Sequence, residues 1–191
     1  MLRRAIIRLG LAAAVAPGLT AATPKWRTLF DGKSLDGWDR RGSVNWGFEG
    51  GAVVADKGSG FLVSKETFGD VAIRAEVWVS PDANSGIFIR CTNPFQVGTQ
   101  TAYEVNLYDA RPDPTYGTGA IVGVAKVSPM PVAGGRWNVM DITARGDRFD
   151  VSLNGVRTVE NAHDGRFSHG RIALQYGAGV VKFRRVQVRA L

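Results

Sequence analysis

Apolar and polar residues alternate with a period of two through much of this chain, and the alternation is clearest between residues 71 and 108. Ile73, Ala75, Val77 and Val79 share one face of a strand over 71–79, while Arg74, Glu76 and Trp78 share the other. Ile87 and Ile89 oppose Phe88 and Arg90 in the same way, and Tyr103, Val105 and Leu107 oppose Glu104, Asn106 and Tyr108. Helical periodicity is nearly absent elsewhere, and short alternating runs bounded by Gly, Asn and Asp recur to the C-terminus. The pattern predicts strands near 27–30, 44–48, 51–55, 60–64, 71–79, 86–91, 102–108, 120–125, 136–143, 148–153, 156–160, 171–176 and 180–189. Strands at that spacing imply an all-β, two-sheet antiparallel sandwich.

Several reversals carry a mechanism. Asn154-Gly155 separates two alternating runs and is a strong hairpin signal, because both residues tolerate positive φ. Gly146-Asp147 joins the strand of Trp137 to that of Phe149, and glycines at 50–51, 58, 60 and 134–135 mark further turns.

If the strands at 71–79, 86–91 and 102–108 are neighbours in one sheet, its second face is a mosaic of carboxylate, guanidinium, amide and aromatic rings. Such a surface suits a sugar. Glu104, Arg90 and Asn84 are then expected to converge in one groove.

The first residues change the picture of where the chain works. Met1 to Arg8 is basic, Leu9 to Leu19 is a short apolar stretch broken by Pro17 and Gly18, and Thr20-Ala21-Ala22 offers small residues for cleavage. This predicts a signal peptide over 1–22 and a single domain over 23–191, delivered to the periplasm or secreted, with no stable membrane insertion. The pair Arg3-Arg4 raises a twin-arginine export route beside the general one. Loss of Arg3, Arg4 and Arg8 lowers 24 basic residues to 21 against 17 acidic, a modest excess. The cluster Lys182-Phe183-Arg184-Arg185 with Arg189 reads as a solvated outer face, and no nucleic acid partner is expected.

Cys91 is the only cysteine, so an intramolecular disulfide is impossible. It continues the parity of Ile87 and Ile89 and reads as a small buried residue. His163 and His169 lie in a distant loop, which argues against a thiol nucleophile or a zinc tetrahedron. No metal or other cofactor is expected. Asp109 and Asp113 have the chemistry to bind a hard divalent cation, but aspartates before Pro112 and Pro114 are ordinary turn formers.

Leu29-Phe30-Asp31-Gly32-Lys33-Ser34-Leu35-Asp36-Gly37-Trp38 resembles the opening of the 3-keto-disaccharide hydrolase domain family. Asn84-Ser85-Gly86-Ile87-Phe88-Ile89-Arg90, Tyr103 to Asp109, Thr118-Gly119-Ala120-Ile121, Arg136-Trp137-Asn138, Leu153-Asn154-Gly155 and Ile172-Ala173-Leu174-Gln175 follow its pattern in order, from about residue 27 to 189. The resemblance implies a concanavalin-like jelly roll, export, and action on glycosides whose C3 hydroxyl has been oxidised to a ketone. The chain departs from the family's usual residues at Asn106, Val122 and Tyr176, all near the expected groove.

A ketone at C3 acidifies the C2 proton, and the resulting enolate can expel the group at C1. Such a route needs a base near C2, donors for the enolate oxygen and an acid for the leaving group. The resemblance implies Glu104 as base, Arg90 as enolate stabiliser and Asp109 as acid or ligand-binding group, with Glu76 as a second carboxylate on the polar face. Asn84 and Asn106 would bind sugar hydroxyls, and Trp78 or Tyr108 would stack on a ring.

Duller readings stand beside these. Glu104 with Arg90 or Arg74 is also a plausible cross-strand ion pair, and Asn84-Ser85-Gly86 a plausible Asx turn. Two other functions fit the residues: a non-catalytic carbohydrate-binding module, and a laminarinase-type glycosidase in which Glu104 and Asp109 would be the paired carboxylates. The second requires a bulge, since Asp109 falls on the opposite parity from Glu104. Neither the sugar nor the oligomeric state is legible.

Overall fold

The computed structural model describes residues 25–191; the expected leader lies outside the described residues. The strands are β1 (Arg27–Phe30), β2 (Trp38–Gly42), β3 (Gly47–Glu49), β4 (Ala52–Ala55), β5 (Gly60–Phe68), β6 (Val71–Val79), β7 (Asn84–Cys91), β8 (Tyr103–Leu107), β9 (Trp137–Arg145), β10 (Arg148–Leu153), β11 (Val156–His163), β12 (Gly170–Ala178) and β13 (Val181–Ala190). They form an eight-stranded sheet in the order β11-β10-β9-β6-β13-β4-β3, with β1 also paired to β13, and a five-stranded sheet in the order β2-β5-β12-β7-β8. Every pairing between these strands is antiparallel. The expected two-sheet jelly-roll sandwich is what the chain forms.

The core is where the alternation placed it. Ile73, Ala75, Val77 and Val79 from β6 and Met140, Ile142 and Ala144 from β9 face Leu62, Ile87, Ile89, Val105, Leu107 and Leu174 of the other sheet in one buried cluster. Removing such branched side chains from water on both facing surfaces is what holds two sheets together. The hairpins follow their turn chemistry. Asn154 and Gly155 both take positive φ (53° and 78°) between Leu153 and its partner Val156, whereas Gly146 alone (φ 56°) turns the chain between Arg145 and Arg148.

Three expectations fail, and one strand is unforeseen. β6 does not neighbour β7 and β8: its partners are β9 and β13, so the polar faces of 71–79 and 102–108 belong to opposite sides of the sandwich. β2 is a strand that its charged sequence, Trp38-Asp39-Arg40-Arg41-Gly42, concealed. The segment 120–125 is not a strand; Ile121 makes isolated bridges to Val105 and Ala125. Finally, Arg90 sits at φ 52° in a bulge where the β7–β12 register slips. A left-handed residue inserted there sends Arg90 inward, beside Ile89, and returns Cys91 to the outer face with Phe88, Ala102 and Val63. Cys91 is buried as expected, on the other side of the sheet.

Candidate functional site

The register of the five-stranded sheet lines up two rows of residues on its outer face. Asp39, Val63, Ala173, Phe88 and Glu104 form one, running from β2 through β5, β12 and β7 to β8. Arg41, Phe61, Gln175, Gly86 and Asn106 form the next. Asn84 precedes Gly86 by two residues on β7 and lies against Gly177, where an added Cβ would come 3.1 Å from its carboxamide. The connection between β7 and β8 folds over the first row, with Val97 packing on the outer-face cluster of Val63, Phe88, Cys91, Ala102 and Ala173. The second row is left as the floor of a step.

Glu104 is the residue this geometry singles out. Its backbone is fixed on both edges: β7 pairs it with Phe88, and the Val122 amide donates to its carbonyl at 3.0 Å. Its side chain lies down over Gly86, whose missing Cβ would be 3.4 Å from Glu104 Cγ, 3.4 Å from Gln175 Oε1 and 3.1 Å from the Val105 carbonyl. Glycine at 86 therefore lets the carboxylate fold across β7 toward Gln175 instead of standing into water. The result is a glutamate 9 % exposed that, among the described residues, has neither a hydrogen-bond partner nor a salt bridge. Burial pushes its pKa up, and the positive charge of Arg111 opposes that rise without cancelling it. A largely desolvated, unpaired carboxylate is a stronger base than an exposed one and is suited to taking a proton. Gln175 Oε1 is itself buried without a partner.

The other expected residues divide sharply. Asn84 shares this face, and Tyr108 continues the parity of Glu104 and Asn106 just past the end of β8, half-buried. Asn106 is on the face but fully buried, and its carboxamide is in use: Nδ2 donates to the Tyr116 carbonyl at 2.7 Å and Oδ1 accepts from the Leu107 amide at 2.9 Å.

Arg90 is not in the groove. Its guanidinium, stacked 5.2 Å above the Phe149 ring, donates to the carbonyls of Gly146 (2.6 Å), Phe167 (3.0 Å) and Gly69 (3.4 Å) and to Asp70 Oδ1 (3.3 Å). It joins three turns at one end of the sandwich.

Asp109 likewise faces away from Glu104. Its carboxylate accepts from Thr118 Oγ1 (2.6 Å), the Ala133 amide (2.9 Å) and the Gly134 amide (2.8 Å), which pins the long connection before β9. No bulge re-aims it, so a pair of facing carboxylates does not form.

Trp78 and Glu76 lie on the outer face of the other sheet. Trp78 pairs with Trp137 across the β6–β9 ladder, with Lys182 Nζ 5.5 Å over its ring. Burial works against ionisation of Glu76, but hydrogen bonds from Arg184 (2.6 Å) and Arg185 (2.9 Å) outweigh it and hold the carboxyl below the usual range. The basic cluster at 182–185 is thus a solvated ion-pair ladder, as its composition suggested. Tyr176, expected near the groove, points inward to an edge contact with Trp46.

Gln175, Gly86, Arg111, Arg41, Phe61 and Phe95 escaped the sequence reading as site residues. Gln175 and Gly86 lie inside motifs that were recognised, and strand parity alone would have put both beside Glu104 had β12 been placed next to β7. Arg111 sits in a loop, where no periodicity exists to aim it. No group of three or more His, Cys, Asp or Glu is gathered where it could hold a metal ion among the described residues. The Asp113 carboxylate instead accepts from Thr115 at the head of a short 3-10 turn, Pro114–Tyr116.

Residues 25–189 match the 3-keto-alpha-glucoside-1,2-lyase-like domain family, as the ordered motifs implied. The chain belongs to that family. Membership places it among carbohydrate-active, glycosyl-hydrolase-like proteins. No curated protein matches its sequence.

Two solved structures from Parabacteroides distasonis, both described as candidate glycosyl hydrolases, share the fold. The first is 18 % identical, covers 87 % of this chain and 94 % of its own, and superposes with a TM-score of 0.77. The second is 22 % identical, covers 87 % and 100 %, and has a TM-score of 0.74. The carbohydrate-binding module CBM66 of Bacillus subtilis is 18 % identical over 81 % of this chain and 96 % of its own, with a TM-score of 0.61. No helix among the described residues is long and apolar enough to cross a membrane.

Proposed function

We propose that this protein is an exported enzyme that cleaves glycosides bearing a ketone at C3, with Glu104 as the base that removes the C2 proton. The observation that carries the reading is the Glu104 carboxylate, buried over Gly86, unpaired, and raised in pKa by its burial. The pair of electrons from C2–H moves onto the C3 oxygen as an enolate. Its return forms the C1–C2 double bond and expels the group at C1; water then adds across that bond. Because no oxocarbenium ion forms, one well-placed base does most of the chemistry, and a second facing carboxylate is unnecessary. Arg111, the cation whose charge is felt at Glu104, takes the role of steadying the enolate, and Asn84 and Gln175 supply amides to the sugar hydroxyls.

The test is turnover of a panel of 3-keto-glycosides beside the parent glycosides by the purified chain and by Glu104→Gln. Cleavage of the ketones alone, lost in Glu104→Gln, supports the reading. Equal cleavage of the parents overturns it in favour of ordinary glycosidase chemistry.

The likeness to CBM66 favours one rival, a module that binds carbohydrate without cleaving it. Retention of oligosaccharides with no turnover of any ketone would establish that rival. Export to the periplasm or medium is the companion proposal, resting on the basic and apolar character of residues 1–22. N-terminal sequencing of secreted protein should begin near Thr23, and intact Met1 would overturn it.

A further inference from the structure

The floor of the step changes character across the sheet. Over β7 and β12 it is polar, with Asn84, Gln175 and the Glu104 carboxylate. Over β5 and β2 it becomes aromatic. Phe61 is half-buried and packs edge-on against Phe88, with ring centroids 5.3 Å apart. At the outer end the Arg41 guanidinium lies 4.8 Å from the centroid of the Phe95 ring, and Arg41 Nε is buried without a partner.

Phe95 is 77 % exposed, which is costly for a phenylalanine, and yet the turn that carries it is firmly braced. Asn93 Oδ1 accepts from the Phe95 amide at 3.0 Å, the Thr101 hydroxyl donates to the Gln96 carbonyl at 2.6 Å, and the Thr92 amide donates to the Thr101 carbonyl at 2.8 Å. A rigid turn that presents an apolar ring to water at the rim of a candidate site is a feature of ligand contact surfaces.

We infer that the leaving-group side of the site, Phe61 with Phe95 and Arg41, is built to receive an aromatic aglycone, so that the preferred substrates are aryl glycosides and not disaccharides. The inference rests on the proposed glycoside-cleaving reading for its placement of the sugar over β7. An aglycone ring lies roughly one strand spacing, about 5 Å, from the sugar ring, which brings it from β7 onto β12 and the edge of Phe61. A second sugar would bring several hydroxyls to a surface whose nearest side chains are phenyl rings, and each unpaired hydroxyl would be a loss. A flat aryl ring instead stacks on Phe61 and Phe95, while Arg41, held by the Asp39 carboxylate (3.1 Å) and the Arg40 carbonyl (3.2 Å), backs the Phe95 ring.

The chemistry agrees. Asp109, the residue expected to protonate the leaving group, is occupied by Thr118, Ala133 and Gly134. When the C1–O bond breaks, the electron pair leaves on the aryl oxygen. A phenolate is a stable anion that solvent can protonate later, whereas a sugar alkoxide needs a proton as it departs. The C2 proton remains on Glu104, and no oxidant or reductant is required.

The experiment has two arms. In the first, calorimetric titration of the purified chain compares unreactive phenyl and methyl glucosides, in both anomers, with glucose disaccharides. The phenyl compounds should bind about tenfold more tightly than the others, and the advantage should vanish in Phe95→Ala and in Phe61→Leu. Phe95 is exposed, so its removal leaves folding intact, and Phe61→Leu preserves apolar volume. In the second arm, turnover of phenyl 3-keto-glucoside should exceed that of 3-keto-disaccharides, and both variants should lose that excess. Equal affinity for phenyl and sugar aglycones, no binding of either, or an advantage that survives both substitutions overturns the inference. Tight phenyl binding without turnover of any ketone would instead overturn the proposed function and leave the aromatic platform standing.

Discussion

Phe88 and Arg90 lie two residues apart on β7 yet point through opposite faces of the sheet, Phe88 outward to Phe61 and Arg90 inward onto Phe149. The positive φ of Arg90 is the whole cause. Its guanidinium is 1 % exposed and satisfies the carbonyls of Gly69, Gly146 and Phe167, so it is a structural clamp and not part of the groove. Burial pulls its pKa below the ordinary arginine value, with Asp70 pushing back, and it stays a cation.

Arg90→Met is therefore expected to strand buried carbonyls and to cost about 3 kcal/mol of stability, read from the urea midpoint. A loss under about 1 kcal/mol would show that the clamp is dispensable. The folded fraction should keep its catalytic rate.

Glu104→Gln should lower turnover of a 3-keto-glycoside by about 10²- to 10⁴-fold with little change in substrate affinity. The carboxyl is raised by burial in the folded chain, so the folded state holds its proton to higher pH than the unfolded state does. Stability from this group is present at low pH and is lost as pH climbs from the ordinary glutamate range through the raised folded pKa. Activity runs the other way, rising through that same raised pKa as the base ionises. Denaturation midpoints followed upward from the ordinary glutamate range should vary less with pH in Glu104→Gln. An unchanged slope would remove Glu104 as the perturbed group.

Arg111→Ala should displace the acid limb of the rate profile upward, because the Arg111 charge is what holds the Glu104 pKa down against burial. The limb staying in place would mean that the charge is screened at the site. A downward displacement would contradict the electrostatics outright.

Gly86→Val puts methyl groups where Glu104 Cγ and Gln175 Oε1 converge, 3.4 Å from the new Cβ. Glu104 is expected to swing into water, its acid limb to fall back to the ordinary carboxylate range, and kcat/KM to drop at least about tenfold. Wild-type kinetics in a folded Gly86→Val protein would show that the seat over Gly86 is not used.

Asp109→Ala leaves the Ala133 and Gly134 amides and the Thr118 hydroxyl without their acceptor, and about 2 kcal/mol of stability should go with it. Turnover of phenyl 3-keto-glucoside by the folded variant should remain near that of the wild type. A hundredfold loss at unchanged stability would restore Asp109 as an acid.

The strands of the core were legible because branched residues at every second position leave little choice of face, and 71–79 was placed to the residue. What alternation does not carry is sheet membership. Val71–Val79 reads identically whether its neighbours are β7 and β8 or β9 and β13, since the ladder is a property of distant partners. That ambiguity moved Trp78 and Glu76 to the wrong side of the sandwich. Arg90 was lost differently, through a single backbone torsion that no side-chain pattern announces. Glu104 keeps the face that alternation gives it because its own strand is regular from Tyr103 to Leu107.

The stretch 118–122 that runs beside β8 has a bearing on how the molecule behaves among its copies. Asn106 bonds through both backbone groups to Ala120 and Gly119, and the Glu104 carbonyl accepts from Val122, so most of that strand's edge is already occupied. At the far edge of the same sheet, β2 carries Asp39 and Arg41 on the outer face and gives Arg40 the inward parity of Leu62, so a second chain adding there would have to cover a charge. One border is largely covered by the protein's own backbone and the other is guarded by charge. The open face between them can thus meet ligand at high protein concentration without inviting the strand-to-strand aggregation that an uncovered β-sheet promotes.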